Sequence, residues 1–179
     1  TQARHLKSLG IEAGAMSVAT FAKLGEKLKN VTLKPTGGLV EELRQIKDQH
    51  EIADLREAIR CAERGFAVLR ASLSPERTEK EVADQLENQL RLFGATCSAF
   101  PPIVGVGRRA ALPHGRPSQT KIGESDIVLV DWGARCRLYN SDLTRVLVTG
   151  RISPKLERVY GVVLKAQARG IAAIRPGAT

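Results

Sequence analysis

Aromatic side chains are scarce in this sequence, which holds four Phe, two Tyr and one Trp among 179 residues. At 4% of the chain they leave few stacking platforms for single-stranded nucleic acid. Three cysteines, Cys61, Cys97 and Cys136, lie far apart without paired spacing. That excludes a cysteine-based zinc knuckle and predicts a reducing compartment, the cytoplasm. No apolar run approaches the roughly 20 residues that span a bilayer, and no signal-peptide pattern is present. A HExxH sequence, a phosphate loop and a serine nucleophile elbow are all missing. Gly105-Val106-Gly107 matches only part of a dinucleotide fingerprint, with no third glycine and no helix signal behind it, and reads as a loop.

The remaining composition is that of an ordinary globular protein, 42% hydrophobic and 26% charged. A formal net charge of +9 raises the question of an acidic partner. Lysines and arginines are spread over every segment, however, and no run exceeds Arg108–Arg109. A solvated basic surface accounts for them, so neither nucleic acid nor a membrane is expected as a partner.

Local patterns predict an α+β chain. Ser17 caps a short helix over 17–29, followed by a strand at Val31–Leu33 and a turn cluster at Pro35–Gly38. This first piece is too small to fold alone. Asp48 and Glu51 have capping-box spacing ahead of Ile52, Leu55, Ile59, Ala62, Phe66 and Leu69, one apolar stripe of a long helix. Thr78 and Glu81 form a second capping box before Val82, Leu86, Leu90 and Phe93, with Gly94 closing that helix. The period then changes to short strands at Phe100–Val104, Ile127–Val130 and Leu138–Val148. Ser153-Pro154 opens a last helix whose inner face is Leu156, Val159, Tyr160, Val163 and Ala166.

Asp131 and Asp142 are the chemical signal. With Cys136–Arg137 as the two residues of a hairpin turn, Asp131 faces Asp142, their Cβ atoms roughly 5 Å apart on one side of the sheet. Two like charges so placed need a shared proton, an arginine or a metal cation. Hard carboxylates suit manganese, magnesium, cobalt or zinc; alternatively Asp142 is a turn residue and Asp131 a surface charge. His114, in Leu112-Pro113-His114-Gly115, is either an exposed loop residue or a proton donor beside the carboxylates. Thr144 shares a face with Asp142 and could donate to a ligating carboxylate. His5 and His50 show no such context.

Several of these segments together resemble the Xaa-Pro peptidases, creatinase-like metallopeptidases of the pita-bread fold. The resemblance rests on Phe100-Pro101-Pro102-Ile103-Val104, Leu112-Pro113-His114, Gly123-Glu124-Ser125-Asp126, Asp131-Trp132-Gly133, Ser141-Asp142-Leu143-Thr144-Arg145, Gly150 and Ile174-Arg175-Pro176-Gly177, in order and spacing. Val40-Glu41-Glu42-Leu43-Arg44-Gln45-Ile46-Lys47 with Glu51-Ile52 resembles the junction between a creatinase-type N-terminal domain and the catalytic domain. It implies that residues 1–43 are a remnant of the first domain with its linker. Residues 44–179 would then be the first half of the second, an antiparallel sheet covered by helices. The opening at Thr1 and the close at Pro176-Gly177-Ala178-Thr179 suit a chain cut at both ends.

What the resemblance implies is cleavage before proline by attack of a metal-bound hydroxide. Asp131 and Asp142 would be metal ligands of a dinuclear site, Asp142 bridging, with manganese expected and cobalt or zinc possible. His114 would be the catalytic histidine that binds substrate and helps protonation. The family site also takes a histidine and two glutamates that are not in this chain, so the site here is incomplete and the chain alone is expected to be inactive. The partner is a proline-containing peptide, and the intact protein is expected to be a homo-oligomer, a dimer. Leu138 stands where the family commonly has glycine, a departure expected to alter the hairpin turn. Two other readings belong to the same fold: a non-enzymatic binding module for an acidic partner, and a metal-free creatinase-like amidinohydrolase. Retention of Asp131, Asp142 and His114 together speaks for the peptidase.

Overall fold

A computed structural model of the chain describes residues 6–178; His5 lies outside them. The chain divides into two compact units, Thr1–Gln49 and His50–Thr179.

In the first unit β1 (Ser8–Glu12), α1 (Val18–Lys27), β2 (Thr32–Thr36) and α2 (Leu39–Leu43) follow in order. Strands β1 and β2 pair in parallel, Ser8 with Thr32 through Glu12 with Thr36. Parallel strands need a crossover, and α1 supplies it. Ser17 caps α1 as expected, its hydroxyl accepting from the Thr20 N–H at 3.1 Å. Strand β1 was not expected, and Pro35, assigned to a turn, is the partner of Ile11 inside β2. Proline is tolerated on such an edge strand because it need not donate there. Ile11 is the only buried hydrophobic among this unit's described residues.

The second unit is built on α3 (Gln49–Ala71) and α4 (Glu79–Leu92). Both halves of the Thr78/Glu81 capping box form, the Thr78 N–H donating to Glu81 Oε2 at 2.8 Å and the Glu81 N–H to Thr78 Oγ1 at 3.2 Å. Short strands come next: β3 (Cys97–Ser98), β4 (Ile103–Val106), β5 (Ile127–Trp132), β6 (Ala134–Cys136), β7 (Tyr139–Asn140) and β8 (Leu143–Val148). They make two antiparallel three-stranded sheets, β3-β6-β7 and β4-β5-β8. Gly105 and Val106 end β4, and Gly107–Ala111 is a 3-10 turn rather than an open loop. The final helix, α5, is Pro154–Ala173, capped by Ser153.

Burial alternates along β5. Val128, Val130 and Trp132 are buried, whereas Ile127, Leu129 and Asp131 are half-buried. The buried face joins Leu69 of α3 and Leu86 and Leu90 of α4 in one core, each such side chain contributing about 1.5–3 kcal/mol. Trp132 anchors the strand: its ring stacks on Phe66 at 4.3 Å, and its Nε1–H donates to the Ala62 carbonyl at 3.0 Å.

Two apolar stripes differ from expectation. On α3 the buried residues are Ala58, Cys61, Ala62, Gly65 and Leu69, while Ile59 is exposed. A Cβ on Gly65 would meet Leu90 Cδ2 at 2.9 Å, so the small residues face α4 where the helices come closest. On α5 no residue is buried, and Val159, Tyr160 and Val163 stay open to solvent. No element among the described residues covers that stripe.

The hairpin register also differs. The turn is Arg137–Leu138, not Cys136–Arg137, since Cys136 pairs with Tyr139 and Arg135 with Asn140. Cys136 is buried with its Sγ 3.4 Å from Cys61 Sγ, so the chain must stay extended through it. Arg137, not a glycine, then takes the left-handed conformation, at φ 55°.

Two predictions follow from this packing. A Cβ on Gly133 would lie 1.9 Å from the Ser141 carbonyl oxygen, whereas one on Gly161 in α5 would meet nothing. Gly133→Ala should therefore lower unfolding stability by about 3 kcal/mol in urea titrations, and Gly161→Ala should raise it by up to about 1 kcal/mol. Burial first, then the contact with Cys61, pushes the Cys136 thiol up from 9.0 to about 12. Its folded-state value is the raised one, so this contribution is fully present below pH 9 and is lost as pH rises from 9 through 12. Cys136→Ala should flatten that part of the stability profile.

Candidate metal centre

Asp131 is the penultimate residue of the central strand β5, flanked by Ile103 of β4 and by Thr144 of β8. The Thr144 hydroxyl donates to Asp131 Oδ1 at 2.8 Å, the contact expected of a residue that aims a carboxylate. Asp131 therefore opposes Thr144 and not Asp142. The pairing is interrupted at Gly133 and at Ser141–Asp142 but keeps the same register on both sides, which sets Asp142 opposite Gly133.

Alternation then decides the faces. Ser141 is buried on the core side, its Oγ accepting from the Ala134 N–H at 2.9 Å and donating to the Ala58 carbonyl at 3.0 Å. Its neighbour Asp142 is exposed and belongs to the outer face, with Thr144 and Asp131. The two carboxylates are diagonal neighbours on one face, a placement in which Cβ atoms lie about 7 Å apart. The shared face stands, and the direct opposition does not.

Among the described residues neither aspartate meets a lysine or arginine; the Thr144 hydroxyl is the one side-chain donor to the pair. Free carboxylate oxygens on one sheet face fit a hard divalent cation. Two carboxylates alone do not make a coordination shell, and no group of three or more His, Cys, Asp or Glu among the described residues is arranged to hold a metal.

His114 is exposed in the turn after the 3-10 segment, closed by the Gly115 N–H donating to the Leu112 carbonyl at 3.1 Å. No hydrogen bond joins it to either aspartate among the described residues. His50 lies exposed in the first turn of α3.

One charged residue at the base of the His114 loop was not singled out from the sequence. Glu79, the first residue of α4, is 0% exposed. Its carboxylate accepts from the Val106 N–H at 2.8 Å, the Ser118 N–H at 2.8 Å, the Ser118 hydroxyl at 2.7 Å and Arg109 Nε at 2.9 Å. Burial raises its pKa, but the donors from Val106, Ser118 and Arg109 outweigh it and hold the carboxyl below its usual 4.5. In the sequence it is an ordinary first-turn acid; its partners lie 27 to 39 residues downstream, and no local signal reveals them.

Residues 53–179 match the family model "Metallopeptidase family M24", and residues 1–46 match "Creatinase/Prolidase N-terminal domain". The chain belongs to the M24 metallopeptidase family. It is 39% identical over 174 residues to the uncharacterized peptidase YqhT of Bacillus subtilis, covering 97% of this chain and 49% of that protein. It is 34% identical over 176 residues to the Xaa-Pro dipeptidase of Pyrococcus furiosus, covering 98% and 50% respectively. The crystal structure of X-Pro aminopeptidase from Thermotoga maritima superimposes with a TM-score of 0.89 at 32% identity, covering 94% of this chain and 48% of that one. The α+β architecture is thus that of the creatinase-type peptidases, and the chain spans about half the length of the curated relatives it matches.

Without a cation between them the two aspartates repel. At about 7 Å in a water-like dielectric this costs about 0.5 kcal/mol. Asp142→Asn should therefore stabilise the metal-free chain by that order in low-salt urea titrations. A destabilised variant would place the carboxylates elsewhere.

Proposed function

We propose that the protein containing this chain hydrolyses the bond between an N-terminal residue and proline, as an Xaa-Pro dipeptidase or aminopeptidase. The observation that carries this reading is the pair Asp131 and Asp142. They share one sheet face, and among the described residues neither forms an ion pair with a lysine or arginine, in a chain of the M24 family. In the proposed site Asp131 and Asp142 would hold a pair of divalent ions. Their oxygens suit manganese first, with cobalt or zinc fitting the same donors. When bound, such ions supply an activated water at neutral pH and Lewis-acid stabilisation of the oxyanion. Thr144 holds Asp131 in one orientation, so that its free oxygen lone pairs stay aimed at the cations. His114 binds the substrate and delivers a proton to the departing proline nitrogen. The substrate is a peptide with proline in second position.

The remaining shell, one histidine and two glutamates, lies outside these 179 residues, and by this reading the chain alone is inactive. The same reading places the intact protein, a homodimer, in the cytoplasm; the three cysteines of this chain, all free, are in keeping with a reducing compartment. Among the described residues no helix is long and apolar enough to cross a membrane.

The test is hydrolysis of matched Xaa-Pro and Xaa-Ala peptides by the whole protein, with and without chelation. Release of the residue before proline, restored only by a divalent metal, is the expected result; equal cleavage of both peptides contradicts it. His114→Ala should lower turnover roughly 100- to 10,000-fold at unchanged metal content, and loss of metal would make His114 a ligand instead.

A further inference from the structure

No residue of the segment that carries His114, 107–117, is buried, and its base is tied by one buried carboxylate. Glu79 binds the Val106 N–H where the segment leaves β4, and the Ser118 N–H and hydroxyl where it returns. Between those ends the Arg109 guanidinium bridges: Nε donates to Glu79 at 2.9 Å and Nη2 to the Arg116 carbonyl at 2.6 Å. The clamp is reciprocal. The Glu79 and Lys80 N–H groups of the first turn of α4 donate back to the Thr120 carbonyl at 2.9 Å and the Ser118 carbonyl at 3.0 Å.

The segment leaves β4 at Val106, opposite Val128 of β5, the strand that carries Asp131. Residues 107–117 thus form a loop whose two ends are fixed to α4 and whose middle presents His114. A carboxylate that accepts four donors while 0% exposed is more than a helix-capping charge, since Thr78 and Glu81 already cap α4. The capping function is filled, and the Glu79 acceptors are spent on the loop.

We propose that Glu79 is a positioning residue for His114. It fixes both ends of the 107–117 loop, and through Arg109 the Arg116 side of the turn, so that the imidazole is held at a set place beside the aspartates. This rests on the reading of His114 given above. Glu79 touches neither substrate nor metal. Misplacing a reacting group by about 1 Å costs up to about 100-fold in rate.

The experiment is a double-mutant cycle in the whole, metal-loaded protein with an Xaa-Pro dipeptide as substrate. Glu79→Gln keeps the shape but turns two acceptor oxygens into one acceptor and one donor, so the amide NH2 must face either the Val106 N–H or the Ser118 N–H. It should lower kcat roughly 10- to 100-fold with bound metal unchanged. In a His114→Ala background it should lower kcat no further, because the group it positions is gone. Equal losses in both backgrounds, or no loss in either, overturn the proposal.

A second measurement does not depend on activity. Trypsin can cut after Arg108 and Arg109 but not after Arg116, which precedes Pro117. Glu79→Gln should speed cleavage at Arg108 and Arg109 while leaving cleavage elsewhere unchanged. An unchanged rate there, or a uniform increase over the chain, means that Glu79 does not hold this loop and overturns the proposal. Absence of Xaa-Pro turnover in the wild-type protein counts against the functional reading instead, and the tryptic arm still decides whether Glu79 holds the loop.

Discussion

The hydroxyl of Ser141 sits where the second sheet could most easily slip. It bridges the Ala134 N–H across the hairpin and the Ala58 carbonyl of α3 below it, and the residue is almost wholly buried. Directly beside it Gly133 leaves no room for a Cβ against the Ser141 carbonyl. A one-residue shift of either strand would orphan this hydroxyl in the core, and a buried unsatisfied polar group costs about 1–3 kcal/mol. It would also send every side chain beyond it to the opposite face. The placement of Asp131, Asp142 and Thr144 on one outer face is therefore a consequence of what Ser141 and Trp132 do on the inner one.

This explains how a chain of modest core can hold carboxylates close together without a partner charge. Trp132 is fixed to α3 through Phe66 and Ala62, Cys136 through Cys61, and Ala134 through Ser141 and Ala58. The alternation of the strand carries that fixation to Asp131 on the other side. Repulsion between the aspartates is small next to the burial of a tryptophan, so the core decides and the charges comply. On the proposed reading, a divalent cation would convert this mild liability into an attachment point.

Features with local causes could be read from the sequence. The Thr78/Glu81 capping box, the Ser17 and Ser153 caps and the change from helical to alternating period all depend on residues within a few positions of one another. The aspartate pair was legible as to face but not as to register. The contact that keeps Cys136 out of the turn is with Cys61, 75 residues away, and no local signal reveals it. The buried stripe of α3 is legible at Ala62, Phe66 and Leu69 but not at Gly65, which carries no hydrophobic signal and yet is where Leu90 approaches. Glu79 is the extreme case, since every acceptor bond that distinguishes it from a surface acid reaches across the fold. Strand β1, five residues with one buried side chain, has too little pattern to announce itself.

The most direct test of the account is anomalous diffraction from crystals of the whole protein soaked in a divalent metal salt. The account predicts metal density at about 2 Å from a carboxylate oxygen of both Asp131 and Asp142, with Asp131 still hydrogen-bonded to Thr144. Metal bound at a site that excludes either aspartate, or density at neither, would contradict it.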